Sequence, residues 1–342
     1  MIFNKIQSIP YDISLNKPFQ NAKTSIIERS GLIINLFIDD DCGCGESAPL
    51  SPYSDESITE ISWNLEELKA ALKSSSNYMK DDLFDLFELY TRDVPSLHFA
   101  LDISLYDILA KKEKISLAQY LNPKNLNEVK FSSIYNGLIN KSFNKIKIKF
   151  GVKSIEEDVD LLHDLSKEYG DDVQFRIDAN QAYSIDDFLY LLNKINTLNI
   201  EYIEEPLAAL NIENLNIIKN ETDIPIAIDE SIFKNNYKEF SENQLVDYAI
   251  IKPSLYGGIK SIIKLVDYFK KYNIEVVFSS SLNTKIGNIA NIHLASALEL
   301  SNHHGLNNYT FFKSDQTQFP YGPNDSAMEI NKLVGLGVCS NG

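Results

Sequence analysis

Three cysteines in 342 residues are too few to frame a fold. Cys42 and Cys44 form a C-x-C, Cys339 stands near the end, and the odd count argues against a disulfide framework. With no second pair and no histidine nearby, they do not make a zinc site. Positive charge is also short: 32 Lys and Arg stand against 48 Asp and Glu, for a formal net charge of -16. Such a surface repels nucleic acid and anionic membranes, which excludes both as main partners, but it does not repel a divalent cation. Long apolar runs are missing. The stretch 32–38 contains Asn35 and is far too short to cross a bilayer. The opening MIFNKIQSIPYDISL lacks the continuous apolar core and the cleavage site of a secretion signal. A cytoplasmic protein with reduced thiols is expected.

What is present falls into three zones. Residues 1–122 begin with two strand-like runs, 25–28 and 32–38, and Arg29-Ser30-Gly31 between them reads as a hairpin turn. A helix follows from Asp55 to Leu72, with Ser or Asp to cap its first turn, and a second spans 97–112 with one strongly apolar side. The C-x-C reads as a loop. In residues 123–311 short Ile/Val/Phe runs (131–135, 145–150, 173–178, 200–204, 225–229, 248–252, 276–279) alternate with helices such as 155–169, 185–197 and 258–272. Repeated strand–helix units imply a parallel sheet, and seven or eight of them imply closure into a barrel. An open doubly wound sheet would carry a Gly-rich turn after its first strand, and 133–151 contains no GxGxxG. Residues 312–342 lose the alternation and are expected to return to the first zone.

The chemistry is sought at the carboxyl ends of the strands, where barrel active sites are built. Those ends carry Lys147 and Lys149, then Asp178, Glu204, Asp229 and Lys252. The three acids are spaced by 26 and 25 residues, close to one strand–helix unit each, so they project from neighbouring strands into one mouth. Three carboxylates this close do not all stay ionised without a cation. Oxygen-only ligands point to Mg²⁺ or Mn²⁺ rather than zinc. The flanking lysines point to proton abstraction beside a carboxylate, whose dianionic enediolate needs concentrated positive charge. A lysine base needs its pKa drawn towards roughly 7–8. A metal and Lys147, on the same strand face as Lys149, would both push Lys149 that way. Three further features have bland and functional readings. Gly257-Gly258 opens a helix or cradles an anion, and Ser279, Ser280 and Ser281 are turn residues or donors to a substrate carboxylate. His303-His304 has no acid at metal spacing and reads as structural.

The motifs IKIKFG, RIDANQAY, YIEEPL, IAIDES and IIKPSLYGG, in that order, resemble the enolase superfamily in its muconate-lactonising branch. CGCGESAPLSPYSDES and PSLHFALDISLYDIL resemble that branch's capping domain. The resemblance implies a modified (β/α)₇β TIM barrel with an N-terminal α+β cap completed by the C-terminal tail. It implies a small carboxylate substrate, a metal on Asp178, Glu204 and Asp229, Lys149 as base and general acid, and Lys252 as charge stabiliser. Arg176, Asn180 and Ser279–Ser281 are expected to bind substrate, and segments 16–22 and 49–53 to close over the mouth. VVFSSSLNTKIGNIA and HHGLNNYTFF resemble the o-succinylbenzoate synthases within the branch. N-succinylamino-acid racemases and dipeptide epimerases share the same core. The epimerases typically carry an Asp-x-Asp where this chain reads SSSLNT.

Overall fold

The computed structural model describes residues 1–20, 25–51, 53–233, 237–307, 311–312, 320–322 and 324–338. The first zone is an antiparallel sheet of order β3-β2-β1-β4, built from β1 (Ile2–Gln20), β2 (Ser25–Ile38), β3 (Asp41–Ser47) and β4 (Ser76–Asn77). Helices α1 (Ile58–Ala71), α2 (Lys80–Tyr90), α3 (Pro95–Glu113) and α4 (Leu117–Leu121) follow the three long strands.

Two expectations fail here for one reason, a close approach of neighbouring atoms that leaves no room for a side chain. Residues 29–31 are no turn: β2 runs straight through them, paired Arg29 to Ile13 and Gly31 to Tyr11. A Cβ on Gly31 would lie 2.5 Å from the Tyr11 hydroxyl, so the glycine makes room for a ring. The C-x-C is likewise strand β3, not loop. Side chains on Gly43 and Gly45 would strike the backbone oxygens of Ser104 and Ala100, so these glycines let β3 lie directly on α3. That helix is buried at twelve of its nineteen positions rather than on one side, because β3 and the barrel cover opposite faces. Each fully buried Leu, Ile or Phe in it contributes about 1.5–3 kcal/mol.

The barrel strands are β5 (Glu128–Phe131), β6 (Ser133–Ile134), β7 (Lys145–Lys149), β8 (Gln174–Asp178), β9 (Ile200–Glu204), β10 (Ile226–Ile228), β11 (Tyr248–Ile251), β12 (Glu275–Phe278) and β13 (His303–His304). Strands β6 to β12 pair in chain order, all parallel. β13 closes the ring between β12 and β5, through a Ser279–Gly305 bridge on one side and parallel pairing to β5 on the other.

Helices α5 (Ile155–Tyr169), α6 (Ile185–Ile195), α7 (Ile212–Glu221), α8 (Glu230–Phe233), α9 (Tyr237–Glu242), α10 (Ile259–Lys271) and α11 (Lys285–Ala297) lie in the connections. α5 matches its expected bounds because Ser154 and Glu157 form a reciprocal cap at its start. β14 (Ala327–Glu329) pairs with β5, Phe312 bridges Leu15, and Gly335 bridges Ser116. The tail therefore touches both barrel and cap. Cys339 and part of HHGLNNYTFF lie outside the described residues. Among the described residues, no helix is long and apolar enough to cross a membrane.

The candidate active site at the barrel mouth

The parallel register delivers the charged residues to one level. Lys149 pairs with Asp178 across β7 and β8, and Asp178 with Glu204 across β8 and β9. Asp229 and Lys252 follow directly on β10 and β11. Asp178, Glu204, Asp229 and Lys252 are all buried. The Lys147 ammonium donates to both Glu204 oxygens and to Asp178, each at 2.8 Å. Lys252 donates to both oxygens of Asp229.

These charges shift one another strongly. Burial and the neighbouring Asp178 push the Glu204 carboxyl well above its ordinary range. Burial also works against ionised Asp178, but Lys147 and Lys149 outweigh it and hold Asp178 low. Lys252 goes up: its burial is overcome by Asp229 and Glu230. Lys149 moves the other way, to about 8. Burial is the largest cause, Lys147 and Lys252 add to it, and Asp178 and Glu204 oppose it. The expected neighbour effect is present, yet desolvation exceeds it.

The cavity at this mouth holds about 60 Å³ and is lined by Lys147, Lys149, Asp178, Asn180, Asp229 and Lys252, by Ser279, Ser280 and Gly305, and by cap residues. The Lys149 ammonium lies 3.5 Å from the centre of the Phe19 ring, and that of Lys252 lies 4.5 Å from the Tyr53 ring. Phe19 and Tyr53 come from the two segments expected to close the mouth; residues 21, 22 and 52 of those segments lie outside the described residues. A larger groove of about 690 Å³ lies near the amino ends of β5 and β8, lined by Lys130, Lys141, Asp172 and His303, away from this chemistry.

Two expected substrate residues are drawn away from the cavity. Arg176 sits two residues before Asp178, about 6–7 Å deeper in the barrel. It is buried, with Nε on Glu201 and Nη1 on the His303 carbonyl. Glu201 is the extra residue at a register shift between β8 and β9, which aims its carboxylate at that guanidinium. Ser281 turns back, its hydroxyl 2.8 Å from that of Ser254 and 2.9 Å from Asn283 Oδ1. Asn180, in left-handed backbone at φ 46, keeps a buried Oδ1 with no hydrogen-bond partner at the cavity edge. His304 is structural as read, its Nδ1 accepting from the Phe278 N–H. Gly257-Gly258 does meet an anion, the chain's own Asp102, which accepts from Ile259 N at 2.8 Å.

Sequence reasoning missed two acids beside the expected ligands. Glu205 accepts from Asp229 N, Ser231 N, Ser231 Oγ and Gln181 Nε2. Glu230 accepts from the Tyr53 hydroxyl at 3.0 Å, and burial with Asp229 beside it pushes it to about 7. The doublets Glu204-Glu205 and Asp229-Glu230 were the available signal. Among the described residues, no three acidic, histidine or cysteine side chains converge as a finished ligand set. The donors present nevertheless fit a hard cation. They are all oxygens, they stand on adjacent strand ends, and burial beside Asp178 pushes the Glu204 carboxyl up, a shift that a cation between them would oppose.

A family model described as "Enolase C-terminal domain-like" matches residues 135–341, and one described as "MenC, N-terminal domain" matches residues 4–108. An L-Ala-D/L-Glu epimerase from Francisella tularensis subsp. novicida is 27% identical, covering 83% of this chain and 84% of its own. An N-succinyl-L-Arg/Lys racemase from Bacillus cereus is 23% identical, covering 95% of this chain and 92% of its own. The solved dipeptide epimerase from Enterococcus faecalis, complexed with Mg and L-Leu-L-Tyr, superposes with a TM-score of 0.86 at 22% identity, covering 99% of each chain. That likeness bears on the fold alone.

Proposed function

The chain belongs to the enolase superfamily, and from that premise we propose that it is an o-succinylbenzoate synthase, dehydrating 2-succinyl-6-hydroxy-2,4-cyclohexadiene-1-carboxylate to 2-succinylbenzoate. The observation that carries the reading is Lys149, an amine drawn to about 8 by burial and set in register with Asp178 at the mouth. The match of residues 4–108 to the MenC N-terminal family supports it further. The wall formed by Ser279, Ser280, Leu282 and Gly305 offers hydroxyls and apolar surface, with no carboxylate to hold a substrate amine.

Asp178, Glu204 and Asp229 would hold a divalent cation, Mg²⁺ or Mn²⁺, which supplies positive charge to the substrate carboxylate. Neutral Lys149 takes the proton from the ring carbon bearing that carboxylate, and the electron pair moves into the carboxylate. Lys252, four strands away across the mouth, stabilises the resulting charge. The Lys149 ammonium then returns its proton to the departing hydroxyl. Water leaves and the ring becomes aromatic, which makes the step downhill. A cavity of about 60 Å³ is smaller than the roughly 300 Å³ or more of typical ligand sites, so Phe19 and Tyr53 swing aside for the substrate.

A second reading, N-succinylamino-acid racemase, has Lys149 and Lys252 as bases on opposite faces of the substrate, and the similarity to the Bacillus cereus racemase favours it. The test offers purified protein the cyclohexadiene and, separately, N-succinyl amino acids in D₂O, each with Mg²⁺ or EDTA. Metal-dependent loss of diene absorbance supports the synthase. Exchange of the amino-acid α-proton without diene turnover gives the racemase.

A further inference from the structure

We propose that Arg29 is a positioning residue that locks two facing walls of the cavity together: the cap segment carrying Leu50 and Tyr53, and the barrel segment carrying Ser279, Ser280 and Leu282. Arg29 lies inside β2 and is only 5% exposed. Its Nη1 donates to the Pro49 carbonyl at 2.7 Å and its Nη2 to the Ala48 carbonyl at 3.1 Å, both on the cap side. Its Nε donates to the Leu282 carbonyl at 3.3 Å, on the barrel side. One planar group therefore joins segments more than 230 residues apart in sequence. A guanidinium does this because its donors diverge in fixed directions; an ammonium cannot reproduce the fork.

The barrel partner needs holding. Leu282 has φ 56, left-handed backbone that costs a branched aliphatic residue roughly 1 kcal/mol or more. Its side chain lines the cavity and packs in one apolar cluster with Leu50. Just beyond it, Glu46 from the cap accepts from Thr284 N, Thr284 Oγ1 and Gly287 N, at 2.8–2.9 Å. The strained Leu282 is thus fixed at its own carbonyl by Arg29 and two residues on by Glu46. Burying the Arg29 cation has a cost that the nearby Glu46 only partly offsets, and a hydrophobic residue would fill a strand more cheaply. The arrangement makes sense as a brace that sets the gap between Leu50 and Leu282, and hence the width offered to the substrate's acyl arm.

The inference rests on this cavity being the substrate site, so the test has one arm that needs no turnover. Hydrogen exchange is compared between wild type, Arg29→Gln and the charge-retaining Arg29→Lys. Faster exchange in both 46–54 and 280–288, with β7–β11 unchanged, is the expected result. Steady-state kinetics on whichever substrate wild type turns over should show KM raised about tenfold with kcat within threefold. Arg29→Lys, less disruptive to folding, should move both readouts in the same direction. Loosening of one segment without the other, loosening of the whole cap, or a loss in kcat at constant KM overturns the proposal. Wild-type inactivity on every substrate would sink the functional reading and leave the exchange result to decide this one alone.

Discussion

The cap meets the barrel in two unlike ways. On one side, buried carboxylates seat on the starts of barrel helices: Glu46 at α11, and Asp102 of α3 at α10. On the other, aromatic rings cover ammonium groups, Phe19 over Lys149 and Tyr53 over Lys252. The first kind of contact is expensive to break, because an emptied carboxylate site strands backbone N–H donors in the protein interior. The second is weak, about 0.5–2 kcal/mol per pair, and a substrate's own surface can replace it. The difference separates anchor from lid: the cap is fixed where it frames the cavity and exchangeable where its rings cover Lys149 and Lys252.

The largest effect expected lies beneath the lid. Lys149→Ala should lower turnover by 10³-fold or more while circular dichroism and thermal stability stay near wild type, since removing a general base costs about 10²–10⁴ and the loss of the general acid adds to it. An anchor substitution should behave oppositely. Glu46→Ala is expected to cost about 2–4 kcal/mol of stability in denaturant titration, from three stranded donors at a buried helix start. Were Glu46→Ala as stable as wild type, the anchor side of the comparison would collapse.

Phe19→Ala tests the lid, with stability within about 1 kcal/mol of wild type. Burial is what lowers Lys149, so admitting water raises its pKa, and the ascending limb of the pH–rate profile should move to higher pH. The smallest effect concerns Asp102, which burial raises to about 7. Its folded pKa lies above the unfolded value, so its share of stability is present in acid and is lost as pH rises through 7. Melting temperature should fall less between pH 5 and 8.5 in Asp102→Asn than in wild type.

The anchor and the chemistry differed in how plainly the sequence spoke. Strand-end residues were readable because a parallel strand buried on both faces must end where the barrel opens, which puts Asp178, Glu204 and Asp229 one unit apart. Depth was not readable. Arg176 shares the inward face with Asp178, and only the third dimension shows it a layer lower, bound to Glu201. The continuity of β2 through Arg29-Ser30-Gly31 was hidden because glycine serves tight turns and close packing alike. Phe19 carries no local sign of its role: it lies 130 residues before Lys149 and reaches it only through the cap's docking.

The measurement that bears most directly on the account is the pH dependence of kcat/KM for the wild-type enzyme, which reports groups on the free protein. With a buried Lys149 acting as base, activity should climb through a single ascending limb at about 8 or lower, a bound cation moving it only downward. A limb near the ordinary lysine value above 10 would contradict Lys149 as the base.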